Sequence, residues 1–124
     1  MSRESDVHDL GDALVRLGEQ AFAAGRYEVA YHALMGALHC ASEEANPSRV
    51  HQVEVIADEQ RTWIDGHAPG HRMSSQSAKS RGHAGPYRNL VRQAAATHRL
   101  IQHRQTGWQF GASSSADPEE PAVT

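Results

Sequence analysis

Histidines are the residues whose chemistry first suggests a site, because nine of them occur among 124 residues. His32 and His39 would share one face of a helix, but a seven-residue separation places them ~10.5 Å apart along the helix axis. Since Zn–N bonds are ~2.0–2.1 Å long, one ion could not bridge these two rings. His67 and His71 are four residues apart, but Pro69 between them rules out an ordinary helix. No cysteine pair or HExxH motif accompanies the histidines, so no metal site and no cofactor are predicted.

Cys40 and a pair of adjacent carboxylates are the other candidates for catalysis. Cys40 follows His39, but neighbouring residues of a helix point ~100° apart and do not face each other. We therefore expect Cys40 to be a half-buried structural thiol. Asp58 and Glu59 diverge for the same reason, and the sequence contains no glycine-rich phosphate loop or serine nucleophile motif. The expected protein is not an enzyme.

Basic residues form the clearest pattern in the second half of the chain. Four of them recur at helical spacing: Arg88, Arg92, Arg99 and His103. At ~100° per residue they would fall within a ~60° arc of a helix. Such a stripe could follow the phosphates of a nucleic acid or contact an acidic protein. The alternative, an exposed helix face that arginines keep in water, is the favoured interpretation. The sequence also contains no recognised DNA-reading motif.

The formal charge is distributed unevenly along the chain. The whole chain carries −3, but residues 1–65 hold five arginines against twelve acids, a charge of −7. Residues 66–110 hold seven Lys and Arg residues and no acid, a charge of +7, and residues 111–124 carry −3. This division predicts an anionic partner for the basic segment, attraction between the two halves, or simply solvated faces of opposite sign.

Composition bounds the fold class and the compartment. Hydrophobic residues make up 39% of the chain and aromatic residues only 6%, which implies a small core. Residues 9–65 are rich in helix formers and lack β-branched runs, so an all-α fold is predicted. No apolar run approaches the ~18 residues of a membrane span, and the polar start does not resemble a secretory signal. With a single cysteine, the cytoplasm is the expected compartment, and no membrane partner is expected.

Periodic apolar residues predict four helices, and glycine and proline residues mark their ends. Gly25, Gly66 and Gly107 are expected to end helices, and Pro47 suits the first turn of one. Two residues join the first helix to the second, so this pair must be antiparallel, and the third helix would pack against the second. The predicted helices cover residues 9–24, 27–44, 47–65 and 86–105.

These elements predict four parts of the chain. An acidic helical domain spans residues 1–65, and a basic amphipathic helix spans residues 86–105. Residues 66–85 are rich in Gly and Ser and are expected to form a flexible loop, with room for a short helical turn near residues 75–80. Residues 106–124 are expected to be a disordered tail.

The first predicted helix pair contains the spacing of a known repeat. A bulky residue, a Leu-Gly pair and a small residue recur in the first helix, and an aromatic, small and bulky series follows in the second. These residues are Leu14, Leu17, Gly18 and Ala21, then Tyr27, Ala30, Leu34 and Ala37. With this spacing, residues 10–45 resemble a single tetratricopeptide repeat. Three positions depart from the family: Leu14 replaces its usual Trp, Ala21 its usual Tyr, and Ser42 its closing Pro.

The resemblance implies an antiparallel pair in which Gly18 and Ala30 touch, together with a groove that binds a protein or peptide partner. Members of this family typically act as scaffolds, not as catalysts. A lone repeat buries too little surface on its own, so the third helix, the fourth helix or a second copy of the chain must cover it.

Two functions therefore stand as hypotheses. The first is a non-enzymatic interaction module or adaptor, whose helical core at residues 9–65 would survive removal of the basic segment. The second is binding of a polyanion, including nucleic acid, through residues 72–104, and that binding would weaken steeply with salt.

Overall fold

The computed structural model describes the backbone of residues 3–116 and the side chains of residues 10–106. This part of the chain is all-α, as predicted, and contains five helices. They are α1 (Arg3–Ala23), α2 (Tyr27–Glu44), α3 (Pro47–His67), α4 (Ser75–Ser80) and α5 (Pro86–Ala116). No helix in the described part is both long enough and apolar enough to cross a membrane.

Local signals set the turns between the first three helices. After α1, Gly25 adopts a positive φ of 78°, a conformation that glycine reaches without a Cβ clash. After α2, Ala45 takes a left-handed conformation at φ 52°. Asn46 then caps α3, since its side-chain oxygen accepts a hydrogen bond from the Arg49 amide at 3.1 Å. Pro47 occupies the first turn, where a missing amide hydrogen costs no helical bond.

Helices α1 and α2 pack closely because glycines lie in their interface. A Cβ added to Gly18 would lie 3.0 Å from Leu34 Cδ2 and 3.5 Å from the carbonyl oxygen of Ala30. Similarly, a Cβ on Gly36 would lie 3.2 Å from Leu14 Cδ1. The two backbones can approach this closely only because these positions carry no side chain.

Helices α3 and α5 form a second antiparallel pair, which the sequence did not predict. The rings of His51 and His98 lie 5.6 Å apart near one end, and Tyr87 Oη donates a 2.7 Å hydrogen bond to Gln60 Oε1 near the other. Helix α3 packs more extensively against α5 than against α2. The third and fourth long helices therefore cover the first pair as a unit.

The two pairs are stacked so that α1 and α3 run in the same direction. At the start of α3, Arg49 lies 4.0 Å from the carboxylate of Asp12, which is near the middle of α1. Near their carboxyl-terminal ends, the rings of Phe22 and Trp63 lie 5.6 Å apart. Side chains of α1 and α3 therefore meet at these two levels, whereas the backbones of the two pairs approach each other mainly through α2 and α3.

One buried cluster joins all four long helices. It includes Val15 from α1, Leu34 and Leu38 from α2, and residues of α3 and α5. The α3 and α5 members are Val50, Val53, Ile56, Ala57, Ile64, Tyr87, Leu90, Ala94 and Ile101. The predicted acidic domain (1–65) and the predicted basic helix (86–105) therefore share one core.

The segment predicted as a flexible loop, residues 66–85, is packed and hydrogen-bonded. Ser74 is fully buried, caps α4 and donates to the Pro69 carbonyl at 2.6 Å. The amide and hydroxyl of Ser75 donate to Asp65 at 2.8 and 2.7 Å. The short turn expected near residues 75–80 is helix α4, whose Ala78 is fully buried.

Three helix ends differ from the prediction. Helix α3 continues through Gly66, its expected end, to His67. Helix α1 begins at Arg3, well before residue 9, and α5 continues through Gly107 to Ala116. The prediction that Gly107 ends this helix was wrong, because one glycine costs a helix only about 1 kcal/mol and no proline follows until Pro118. Residues 106–116 of the predicted tail are thus helical, and residues 117–124 lie outside the described part.

Candidate interaction groove and cationic face

A groove opens between the parallel helices α1 and α3. It encloses about 300 Å³ and is lined by Glu19 and Phe22 of α1 and by Ile56, Glu59, Gln60 and Trp63 of α3. The low exposure of Ile56 (9%) and Gln60 (5%) places them at its base, whereas Trp63 is 40% exposed. We call this feature the α1–α3 groove.

Two aromatic rings line the α1–α3 groove, Phe22 from α1 and Trp63 from α3, and other rings pack against them. The Phe22 ring meets the Trp63 ring edge to face, with centroids 5.6 Å apart, and Tyr27 lies 4.9 Å from Phe22. The His67 ring stacks on Trp63 at 4.5 Å with an interplanar angle of 12°. Because the other rings support Trp63 on several sides, its half-exposed indole is held in place at the mouth of the groove.

Two carboxylates stand at the groove's rim. Glu19 and Glu59 are both exposed, and within residues 10–106 neither makes an ion pair. An aromatic face beside negative charge attracts a cation twice, through the ring quadrupole and through the carboxylate. The arrangement can therefore hold an ammonium or guanidinium group whose aliphatic stem lies on Trp63.

Gln60 connects the base of the groove to helix α5. Its side-chain oxygen accepts the hydrogen bond from Tyr87, whose hydroxyl also contacts the Tyr27 carbonyl oxygen at 3.1 Å. Tyr87 is 1% exposed, and burial, followed by the nearby Tyr27, raises the pKa of its phenol well above the ordinary value. Tyr87 therefore stays a neutral donor and fixes the orientation of Gln60.

Most of the predicted helix-pair residues are buried, and contacts between α1 and α2 are seen at Leu14, Gly18, Ala30 and Leu34. Ala30, Leu34 and Ala37 are fully buried and Ala21 is 7% exposed. Leu14 packs half-buried against Gly36, Gly18 lies against Leu34, and the Tyr27 ring packs against Phe22 and Trp63.

Leu17 is the exception among these residues. It is 46% exposed and lies at the surface, which corrects its predicted place between the helices. The buried residue at this level of α1 is Val15, which sequence reasoning missed. The signal for Val15 was available, because Gly11, Val15 and Gly18 recur at steps of four and three and mark the close-approach face.

The basic residues predicted for anion binding occupy two parts of one surface. Arg88 and Arg92 line a second cavity, of about 320 Å³, together with Lys79 and His83 from the α4 region. Arg99 and His103 lie farther along α5 and are exposed, but they do not line that cavity. We call the space lined by Lys79, His83, Arg88 and Arg92 the α4–α5 cavity. We call the four residues predicted from spacing, Arg88, Arg92, Arg99 and His103, the cationic face of α5.

The candidates for metal and thiol chemistry are dispersed. Within the described residues, no three His, Cys, Asp or Glu side chains are grouped so that they could hold a metal ion. Cys40 is buried rather than half-buried, and burial, then the charges of Glu44 and Glu43, raises the pKa of its thiol. The reactive thiolate form of Cys40 is accordingly disfavoured.

Comparisons of the chain with protein-family models, with curated proteins and with solved structures found no match. Function is therefore inferred from the geometry and charge of the two surfaces just described.

Proposed function

We propose that this protein is a non-enzymatic interaction module, whose α1–α3 groove binds a partner segment that carries a lysine or arginine beside an apolar residue. The observation that carries the proposal is the half-exposed Trp63, held against Phe22 and flanked by the free carboxylates of Glu19 and Glu59. A surface that is both aromatic and acidic favours contact with a cationic peptide over contact with water.

The stacking of the two helix pairs supports this assignment. In the tetratricopeptide-like arrangement that we propose, the first helices of successive pairs line a shared binding surface, and here those helices are α1 and α3. The second pair lacks the repeat's residue pattern, so this part of the proposal rests on helix order and direction. A cytoplasmic location belongs to the same proposal, because the single cysteine cannot form an intrachain disulfide.

The expected affinity is modest and concentrated at one side chain. A cation over an exposed indole contributes about 0.5–1 kcal/mol, rising to about 2 kcal/mol when water is excluded. Each carboxylate at the rim adds about 0–1 kcal/mol. Trp63 would thus be the hot spot of the interface, and the rim would set the preference for basic partners.

Selection from a random peptide display library tests the proposal. The full chain should enrich peptides with Lys or Arg adjacent to an apolar residue, and the Glu19→Gln/Glu59→Gln variant should lose the basic preference while retaining the apolar one. Enrichment of acidic peptides, or a basic preference unchanged in the variant, would contradict the assignment of this groove.

A further inference from the structure

The α4–α5 cavity gathers basic side chains from two helices and the turn between them. Lys79, His83, Arg88 and Arg92 surround a space of about 320 Å³, with Ser75 and Ala84 completing its lining. All four basic residues are exposed. A concave surface with several cations and no acid concentrates positive potential, and it attracts an anion more strongly than a flat array does.

The cationic face of α5 extends this positive surface in a line. From Arg88 to His103 the helix advances fifteen residues, or ~22 Å. Buried residues such as Leu90, Ala94 and Ile101 occupy the opposite side of α5, so the arginines point away from the core. The α4–α5 cavity lies at the amino-terminal end of this line.

The positive charges of this surface are not neutralised within the described side chains. In residues 66–116 there is no Asp or Glu at all. Across residues 10–106, the ion pair that joins the acidic and basic halves is Arg72 with Glu28. None of the described ion pairs involves Lys79, Arg88, Arg92 or Arg99. Attraction between the two halves therefore does not account for these four cations.

We propose that the α4–α5 cavity and the cationic face of α5 together bind the phosphodiester backbone of a nucleic-acid strand. One strand carries a phosphate about every 3.4 Å along a helix axis, so a line of ~22 Å faces about six phosphates. The arginines repeat along that line, and Lys79 adds a further cation at its end. The site is longer than a single phosphate group requires.

The low apolar content of this surface favours a nucleic acid over an acidic protein as its binding partner. Protein interfaces bury an apolar centre within a polar rim. The exposed large apolar side chain in the described part of α5 is Leu100, 50% exposed, which lies ~100° around the helix from Arg99. The positions beside the arginines are small, Ala95 and Ala96. This surface offers charge without an apolar centre.

The mode of binding follows from what lines the cavity. Among residues 10–106, no Phe, Tyr or Trp lines it, so stacking of bases on these aromatic rings is not expected there. Arginines that contact phosphates fix position without reading sequence. Binding should therefore be tolerant of sequence and strongly dependent on salt.

Fluorescence anisotropy of labelled 20-nucleotide strands with the full chain tests the proposal between 50 and 200 mM salt. If the four unpaired cations, Lys79, Arg88, Arg92 and Arg99, each contact one phosphate, the slope of log affinity against log salt is about −2.8 for a single strand and about −3.6 for a duplex. The single-strand slope corresponds to a loss of about 50-fold over this range. RNA and DNA arms, single- and double-stranded, identify which form is preferred.

Two double variants with equal change of net charge isolate the surface. Arg88→Gln/Arg92→Gln removes two contacts and should halve the slope, whereas Arg16→Gln/Arg26→Gln, on α1 and the following turn, should leave it unchanged. Arg99→Gln should lower the slope by about one contact, or ~0.7 for a single strand. All five residues except Arg26 lie in helices and all are exposed, so helicity by circular dichroism should be preserved.

Three outcomes would overturn the proposal. Equal weakening by the two double variants would mean that net charge alone causes the binding. Competition by millimolar inorganic phosphate at matched ionic strength, with Arg99→Gln silent, would make this a single-phosphate site. Binding of polyglutamate as tightly as nucleic acid would assign the surface to an acidic protein.

Discussion

Replacing Gly18 by alanine tests the close packing of α1 on α2, which holds one side of the groove in place. The new Cβ would lie 3.0 and 3.1 Å from Leu34 Cδ2 and Cγ, and Leu34 is fully buried. Over-packing of this kind costs about 1–3 kcal/mol, whereas replacing a helical glycine by alanine gains up to about 1 kcal/mol. We therefore expect a net loss of up to about 2 kcal/mol, and a larger loss for Gly18→Leu.

A matched control separates the packing cost from helix propensity. Gly66 lies in α3, and a Cβ added there would meet no other atom within 4 Å, so Gly66→Ala should gain up to about 1 kcal/mol. Thermal and urea unfolding measure both changes, and about 1 kcal/mol corresponds to roughly 3–6 °C in Tm at this chain length. In the Gly18→Ala background, Leu34→Val should cost less than it does alone, because it opens space for the new methyl group. Additive effects, or a Gly18→Ala variant as stable as Gly66→Ala, would refute this packing explanation.

Three further perturbations test the contacts that hold α4 and α5 to the other helices. Tyr87→Phe should cost about 1–3 kcal/mol by leaving the buried Gln60 oxygen without its donor, as measured by urea unfolding. Because the folded-state pKa of Tyr87 is raised, wild-type stability should be full below pH 10 and fall above it as the unfolded phenol ionises, and this fall should be smaller in Tyr87→Phe. A chain shortened to residues 1–85 should lose its cooperative thermal transition, since α5 contributes part of the single core, and a sharp transition would restore the separate domain that the sequence predicted. Asp65→Ala should speed amide exchange at Ser75 at least tenfold through loss of its two hydrogen bonds, and unchanged exchange would show that α4 is held by other contacts.

Local signals in the sequence were sufficient for most helix boundaries. A glycine with positive φ at Gly25 and the Asn46-Pro47 start of α3 act through neighbouring backbone atoms, so their effect does not depend on the rest of the fold. The end of α5 was mispredicted at Gly107, because a glycine lowers helix stability without being obliged to end a helix.

The packing faces were harder to predict, for a physical reason. A count of apolar residues on α1 favours the stripe that contains Leu10 and Leu17, yet both are about half exposed. The face that packs contains Gly11 and Gly18, which permit close approach but carry no hydrophobic signal. In the structure, α1 is therefore rotated about its own axis relative to the orientation that its hydrophobic periodicity predicts.

Of the two candidate sites, one could be predicted from a local sequence pattern and the other could not. Arg88 and Arg92 were found from spacing, because helical periodicity alone places them on one face. The meeting of Phe22 with Trp63 depends on how the two helix pairs pack together, and no local pattern links residues 41 positions apart. Tertiary structure was needed to recognise the groove.

The most direct test of the account is calorimetric titration of a peptide selected on the groove against the full chain and two single variants. Trp63→Ala should weaken binding about 30-fold, or about 2 kcal/mol, as expected for an aromatic hot spot. Leu100→Ala removes an apolar side chain of similar exposure from α5 and should leave the affinity unchanged. Equal affinities for wild type and Trp63→Ala, with both variants folded, would contradict the assignment of binding to the α1–α3 groove.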